Sequence, residues 1–327
     1  MMKHNRPANQ TTIDLHGLKL AFQTPELALL DRFEAIYGHL PHPSGGEPDI
    51  EITWRLHPGP EAPAPQRAMP LVASNELISH YRQENMVAAR LPKYALVTID
   101  LKRACLFGQV TQACLDAYGV FEDVMMITLA PLYRRREWFP LHAFAGLGPN
   151  GKAALLTGQI GAGKTTTGLA LLSAGWKLLS NDSPLLTIRN EAVHVLAYPG
   201  RLSAFDDSLA RFERLKQFIP TTGASNEKRV FRAEDAFPDP WAASGPAGGL
   251  FFLRVTPGLT QSGLTDMAPK QALLELMPQA VESWDSEAIA QTFHLLRRLV
   301  EQVPCHLLEL APDIDTIPGL IEQGMTG

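Results

Sequence analysis

The chain has 327 residues, enough for two domains that each bury a core. Hydrophobic residues make up 45% and charged residues 19%, as in soluble globular proteins, and a formal net charge of −5 argues against nucleic acid as the main partner. The N-terminal stretch MMKHNRPANQTTIDLHG lacks the apolar run of a secretory signal, and the longest mostly apolar run, Val124 to Tyr133, is too short to span a bilayer, so no membrane partner is expected. Cys105, Cys114 and Cys305 are scattered without metal spacing and read as small buried thiols of a cytoplasmic protein.

In chain order, Ile13 to Phe22 reads as a strand or strand pair, and Pro25 to His39 as an amphipathic helix with Leu27, Leu30, Phe33 and Ile36 at helical spacing. Ile50 to Leu56 alternates as a half-buried strand, His57 to Pro70 is proline-rich loop, and Glu84 to Leu101 with Ala104 to Val110 reads as a strand meander. Thr111 to Arg136 is mostly helical, with Pro131 expected to kink or break it. It ends in Arg134-Arg135-Arg136, read as a solvated helix end whose charge suits the dipole. Residues 1–136 carry no catalytic motif and are expected to form a smaller α+β domain that binds substrate or a partner, or mediates a homo-oligomer.

The second region, 137–327, is expected to be an α/β domain. Trp138 to Leu147 and Lys152 to Thr157 flank the turn Gly148-Pro149-Asn150-Gly151, which predicts an antiparallel strand running into a buried one. There follows GQIGAGKTT, Gly158 to Thr166, in which Gly158, Gly163, Lys164 and Thr165 fill the pattern G-x-x-x-x-G-K-[ST]. Each residue type has a physical role. Glycines let backbone N–H groups of Gly158, Gln159, Ile160, Gly161, Ala162 and Gly163 curl round phosphate oxygens. Lys164 neutralises the outer phosphates, Thr165 offers a hydroxyl to Mg²⁺, and the helix from Lys164 to Ala174 points its positive end at the same place. Gly175 stands where that helix should end.

Trp176 to Ser180 reads as the next strand, ending at Asn181-Asp182. Ligands of open α/β sheets bind outside the carboxyl ends of strands, so Asp182 is placed near the terminal phosphate, as base toward a hydroxyl or as holder of Mg²⁺ through water. A plain polar turn over Asn181 to Pro184 is the alternative. Further on, Leu185 to Ile188 and Ala192 to Leu196 predict a hairpin, and Ser208 to Gln217 a helix behind Asp206 and Asp207. Thr221 to Arg232 reads as a mobile loop, Gly249 to Val255 as a buried strand, and Asp285 as the cap of a helix running to about Val303. Pro304 to Leu310 predicts a last strand, and Pro318 to Gln323 a short closing helix.

Leu141-His142-Ala143, LLTGQIGAGKTT, Gly175-Trp176, LLSNDSPLL and Tyr198-Pro199-Gly200 together resemble the catalytic domain of HPr kinase/phosphorylase, over about residues 137–210. More closely, they are similar to the broader set of HPr-kinase-related proteins. The resemblance implies a P-loop kinase fold closer to phosphoenolpyruvate carboxykinase than to eukaryotic protein kinases, using ATP and Mg²⁺. It implies that Lys164 and Thr166 belong to the nucleotide site, that Thr165 binds Mg²⁺, that Asp182 takes the substrate proton, and that His142 assists. Two departures stand out: the first Asp of the family's acidic pair is Asn181 here, and its Glu-Ile-Arg-Gly segment is absent. Asp206 or Asp207 would then stand in as metal ligand, and Lys228 or Arg229 as phosphate contact. On residue type alone, His142 equally suits a core histidine.

The expected function is ATP-dependent transfer of a phosphoryl group to a Ser or Thr of a protein or peptide. A small-molecule kinase of the shikimate or gluconate type, which also has an acidic residue after the next strand, is one alternative. A nucleotide-binding partner protein with little catalysis is the other.

Overall fold

A computed structural model describes residues 9–66, 69–220, 227–282 and 284–326. The chain divides into two compact units, Met1–Arg136 with Ser283–Ser286, and Glu137–Glu282 with Glu287–Gly327.

The first unit comprises β1 (Asn9–Leu15), β2 (Leu18–Thr24), α1 (Leu27–Tyr37), β3 (Ile50–Leu56), β4 (Leu71–Ser74), β5 (Ser79–Gln83), β6 (Met86–Leu91), β7 (Ala95–Asp100), β8 (Cys105–Val110), α2 (Gln112–Asp116) and α3 (Val120–Arg134). The strands make one mixed sheet in the order β1-β2-β3-β8-β7-β6-β5-β4. β1 and β2 are joined through His16 and Gly17, both at positive φ (56° and 90°), the backbone that a two-residue hairpin turn requires. Phe22 of β2 stacks on Phe33 of α1 with centroids 4.4 Å apart, and Trp54 of β3 meets Phe121 of α3 edge-on at 5.3 Å, so rings tie both helices to the sheet.

Three expectations are corrected here. The buried stripe of α1 is Leu29, Phe33, Ile36 and Tyr37, whereas Leu27 is exposed. Pro131 does not break helix α3, which continues to Arg134. The arginine run is not a solvated helix end: Arg134 and Arg135 both bind the carboxylate of Asp285, at 3.3 and 3.1 Å, and the Asp285 side chain is fully buried. Asp285, which directly precedes the helix Ser286–Gln302, is thus an ion-pair partner as well as the residue at that helix's start.

The second unit comprises β9 (Phe139–Pro140), β10 (Phe144–Leu147), β11 (Ala153–Thr157), α4 (Lys164–Ser173), β12 (Lys177–Ser180), β13 (Leu185–Arg189), β14 (Ala192–Leu196), β15 (Leu202–Ala204), α5 (Asp206–Leu209), β16 (Arg229–Phe231), α6 (Ala233–Ala236), β17 (Ser244–Val255), β18 (Gly263–Asp266), α7 (Pro269–Leu276), α8 (Ser286–Gln302), β19 (Cys305–Leu310) and α9 (Ile317–Gly324). The predicted helix from Ser208 to Gln217 is instead the short α5 and a 3₁₀ segment, Glu213–Phe218. Of the loop expected over Thr221 to Arg232, residues 221–226 lie outside the described residues, and Arg229–Phe231 form β16.

The main sheet runs β12-β10-β11-β17, and β17 continues to β19 and β18. β17 is 12 residues long and serves two sheets. Its first residues, Ser244 to Pro246, pair antiparallel with β14. Its later residues pair parallel with β11 on one side and β19 on the other. Parallel strands buried on both faces should be apolar throughout, and β11 (AALLT) is buried at every position. One face packs on α4 and α9, the other on α7 and α8. Helix α4 ends in a Schellman closure: Trp176 N–H donates to the Leu171 carbonyl and Gly175 N–H to that of Leu172, each at 3.1 Å, with Gly175 at φ 90°.

Two predictions follow from the buried charges of the first unit. Asp285→Asn leaves buried Arg134 without its counter-charge and is expected to cost about 3–5 kcal/mol, read by chemical denaturation. His80 is buried, stacks on Trp284 at 4.6 Å, and is held down at about 4 by burial first and the Arg134 charge second, with Asp285 opposing. Its ordinary value is 6.5. The unfolded chain therefore takes up the proton first on acidification. The resulting stability is complete above pH 6.5 and drains away as pH falls toward 4, by about 3 kcal/mol in all. The unfolding midpoint should decline over that window in the wild type and decline less in His80→Gln.

Candidate functional site

Three backbone ladders gather the candidate residues. β10 is antiparallel to β11 with Phe144 opposite Leu156, so the residue two before Phe144 and the residue two after Leu156, His142 and Gly158, lie at the same end. β12 is antiparallel to β10 with Ala145 opposite Ser180, which brings Asp182 to that end as well. Beyond the strands, Ala143 N–H donates to the Asp182 carbonyl at 3.0 Å, and Leu141 N–H to that of Pro184 at 3.1 Å. β12 is thus an outer strand, separated from β11 by β10. It is the antiparallel insertion, not adjacency to β11, that carries Asp182 to the loop.

Leu141 and Ala143 are buried, and His142 between them faces the other way, with its side chain 46% exposed. The core-histidine alternative is thereby set aside. Its Nδ1 lies 3.8 Å from Asp182 Oδ1, an ion-pair spacing when the ring is protonated rather than a hydrogen bond. Burial pushes the imidazole below its ordinary value, Asp182 pulls it back up, and Lys164 pushes it down again. Next door, Asn181 Nδ2 donates to the Arg201 carbonyl at 3.3 Å, while its Oδ1 is buried without a hydrogen-bond partner. The polar segment Asn181 to Pro184 is thus also the one that sets Asp182 beside His142.

The loop from Gly158 to Gly163 has left-handed backbone at Gly161 and Gly163, φ 84° and 97°, and φ 150° at Gly158. A Cβ at Gly158 would come within 2.9 Å of Ala162 Cβ and the Leu253 carbonyl, and one at Gly163 within 2.5 Å of Leu310 Cδ1. Both positions demand glycine. Lys164 opens α4, and its Nζ turns back to the carbonyls of Gly158 at 2.5 Å and Gln159 at 3.4 Å. Burial lowers the Lys164 ammonium from its ordinary value, Asp182 opposes, and Lys228 adds to the lowering. The loop, the first turn of a 10-residue helix and its lysine form a concave cationic cradle, the arrangement that binds anions.

The loop from Gln159 onward, Lys164, His142, Asn181 and Asp182 line one cleft of about 720 Å³. His142, Gln159 to Thr167, Asn181 and Asp182 form its floor and one side. A further wall was not anticipated as one: Phe205, Asp207, Ser208, Arg211 and Lys228 line it, with Ser208 Oγ 3.0 Å from Thr166 Oγ1. A last wall, from the segments after β17 and β19, is apolar, and no local sequence motif announced it. The only signal available was that both strands end in Pro-containing segments at the ligand-binding ends of a sheet.

The tentative residues divide. Asp206 takes Arg229 in a bidentate ion pair at 2.7 and 3.0 Å, and neither residue lines the cleft. The stand-in roles of Asp206 as metal ligand and Arg229 as phosphate contact thus meet a pair that is committed to itself. Asp207 and Lys228 do line the cleft. No group of three or more His, Cys, Asp or Glu able to hold a metal occurs among the described residues. Thr165 and Asp182, the expected metal ligands, both line the cleft.

No family model matches the chain, and no curated protein matches it. Among solved structures, the Hpr(Ser) kinase/phosphatase from Coxiella burnetii is a distant neighbour at 14% sequence identity and a TM-score of 0.32, over 57% of this chain and 88% of that one. At that level of likeness the chain's own residues must define its site. They form a mixed α/β unit with an anion cradle beside a His–Asp pair. No helix among the described residues is long and apolar enough to cross a membrane.

Proposed function

We propose that the second unit is a phosphotransferase that moves the γ-phosphoryl group of a nucleoside triphosphate such as ATP to a hydroxyl. The observation that carries this reading is the convergence of the Gly158–Gly163 cradle and Lys164 with the His142–Asp182 pair in one cleft. An anion cradle alone binds phosphate. A carboxylate beside it, backed by a histidine, adds a place for the proton that an attacking hydroxyl must lose.

In this reading the loop amides and Lys164 hold the phosphates and take up the charge that develops on the transferring group. Asp182 orients the acceptor hydroxyl and receives its proton as the oxygen attacks phosphorus and the bond to the leaving diphosphate oxygen breaks. His142, whose Nδ1 lies 3.8 Å from Asp182 Oδ1 and whose imidazole burial pushes below its ordinary value, shares that proton with Asp182. Thr165 and Asp182 suit Mg²⁺ because that ion keeps several waters and needs only one or two protein ligands besides phosphate oxygens. The ion would neutralise phosphate charge when bound. Asn181 Oδ1, a buried acceptor with no partner, fits a donor such as a metal-bound water or the acceptor hydroxyl. A Ser or Thr of a protein or peptide is the acceptor favoured, because Ile160, fully exposed on the loop, and Phe205, 45% exposed, give the cleft an open apolar rim.

One observation favours a nucleotide-binding partner protein instead: Asp206 is committed to Arg229, which leaves fewer carboxylates for metal and proton transfer. The two readings separate in one assay of nucleotide binding and phosphoryl transfer to Ser/Thr peptides. Asp182→Asn is expected to keep nucleotide affinity within about threefold and to lower transfer about 10²–10⁴-fold. Lys164→Ala should weaken nucleotide binding itself. The wild-type rate should fall on acidification below pH 6.5, where His142 gains its proton, and His142→Gln should lose that limb. Transfer that survives Asp182→Asn unchanged would sink the assignment of Asp182. Tight binding with no transfer to any hydroxyl would establish the partner-protein reading.

A further inference from the structure

The strand order sets what lies on each side of the cradle. From β11 the sheet runs through β10 to β12 in one direction and through β17 to β19 in the other. At the usual strand spacing each outer strand lies about 10 Å from β11. The first direction ends at Asp182. The second ends at the segments after β17 and β19, where Val255, Pro257, Leu259, Leu310, Pro312 and Ile314 line the cleft. The proton-accepting groups occupy one side, so the part of the donor that does not react must extend toward the other.

That far side is apolar to an unusual degree. Its lining stretches, 255–259 and 310–317, put no charged or amide side chain into the cleft among the described residues. The one side-chain hydroxyl among their lining residues and most of their backbone N–H groups are already engaged. The Thr256 hydroxyl donates to Glu309 Oε1 at 3.1 Å, and Thr256 N–H donates to the Leu310 carbonyl at 3.3 Å. Leu259 N–H goes to the Thr256 carbonyl, Ala311 N–H to Ser262 Oγ, and Ile314 N–H to the Pro312 carbonyl. Pro257 and Pro312 have no N–H to give. A flat apolar group can be covered here, and the wall sets no charged or amide side chain against its edge among the described residues.

We infer that this wall is the nucleoside subsite of the cleft, that it holds a purine base by apolar contact, and that it accepts adenine and guanine nucleotides alike. The inference rests on the phosphate-cradle reading above and adds to it the position and selectivity of the base. The two purines differ in the polar groups on their edges. Discrimination between such groups is large only where a site has buried polar partners that the wrong ligand leaves unpaired, and this wall brings no charged or amide side chain to serve as one.

The test is calorimetric titration of the full chain with Mg²⁺ and, in turn, tripolyphosphate, ATP and GTP, in the wild type and in Val255→Ala/Leu259→Ala. Val255 is exposed and Leu259 half-buried, so the double variant removes contact area without opening the core. ATP and GTP are expected to bind within about tenfold of each other and both clearly tighter than tripolyphosphate. The double variant should weaken both nucleotides about tenfold and leave tripolyphosphate unchanged. A preference above about a hundredfold for one purine overturns the selectivity inference. Nucleotides no tighter than tripolyphosphate, or nucleotides indifferent to the double variant, overturn the subsite while leaving the cradle intact. Failure of all three ligands to bind overturns the cradle reading, and this inference with it.

Discussion

The register of β10 against its two neighbours is the constraint on which the candidate site depends. β10 contributes no chemistry of its own, yet it is antiparallel to both β11 and β12. That single fact turns the start of one strand and the ends of two others into neighbours. A slip of one residue would also reverse which side chains face the core. Phe144, Ala145, Leu155 and Leu156 are all buried, so a slipped register meets a core that no longer fits. The same burial that stabilises the sheet therefore fixes the spacing of His142, Gly158 and Asp182. At Gly146 any Cβ would press on Phe144 and Trp176, at 3.3 and 3.4 Å, which ties this strand closely to the segment that closes α4.

The Gly158–Gly163 loop shows how a partly buried ammonium is accommodated in a folded chain. Lys164 is partly desolvated and has the carbonyls of Gly158 and Gln159 as acceptors. Those carbonyls satisfy the ammonium and at the same time hold the loop curved. On the reading proposed above, an incoming anion would compete for the same nitrogen, exchanging an internal hydrogen bond for a charge-assisted one. The backbone is not strained by this: the left-handed conformations fall on glycines, which adopt them freely. Preorganisation of this kind lowers the ordering cost of binding.

What could be read from the sequence was local. The loop, the helix after it, Gly175 as its terminator and the Gly148–Gly151 turn are each specified within a few residues, by conformational demands that only certain residue types meet. The β13–β14 hairpin is of this kind too, with Asn190 and Glu191 both at positive φ in its turn. What could not be read was assembled from afar. Asp285 lies some 150 positions beyond Arg134 and Arg135, so nothing near either signals that the carboxylate will take both guanidinium groups out of water. The exposure of Leu27 is a smaller case: four apolar residues at helical spacing suit two adjacent stripes, and only the position of the sheet selects Leu29 and Tyr37. The Arg229–Asp206 pair and the apolar wall likewise depend on segments brought together by tertiary structure.

The composition of the cleft follows from the same topology. Strands that run parallel present their carboxyl ends together, and in this unit β11, β17 and β19 do so. Yet the three ends are chemically unlike. β11 is followed by glycines and a helix start, which expose N–H groups. β17 and β19 are followed by Pro257 and Pro312, which suppress them. Charge is thus concentrated at the centre and on the β12 side, and withheld from the β19 side. A ligand with an anionic end and a flat apolar end matches that gradient in one orientation only. Reversing it would place phosphate against a wall with no cation and few free donors, and would leave Lys164 facing an apolar ring. On the reading proposed above, orientation would need no dedicated recognition residue: it would come from which strand ends carry N–H groups, and that follows from the order of strands in the sheet.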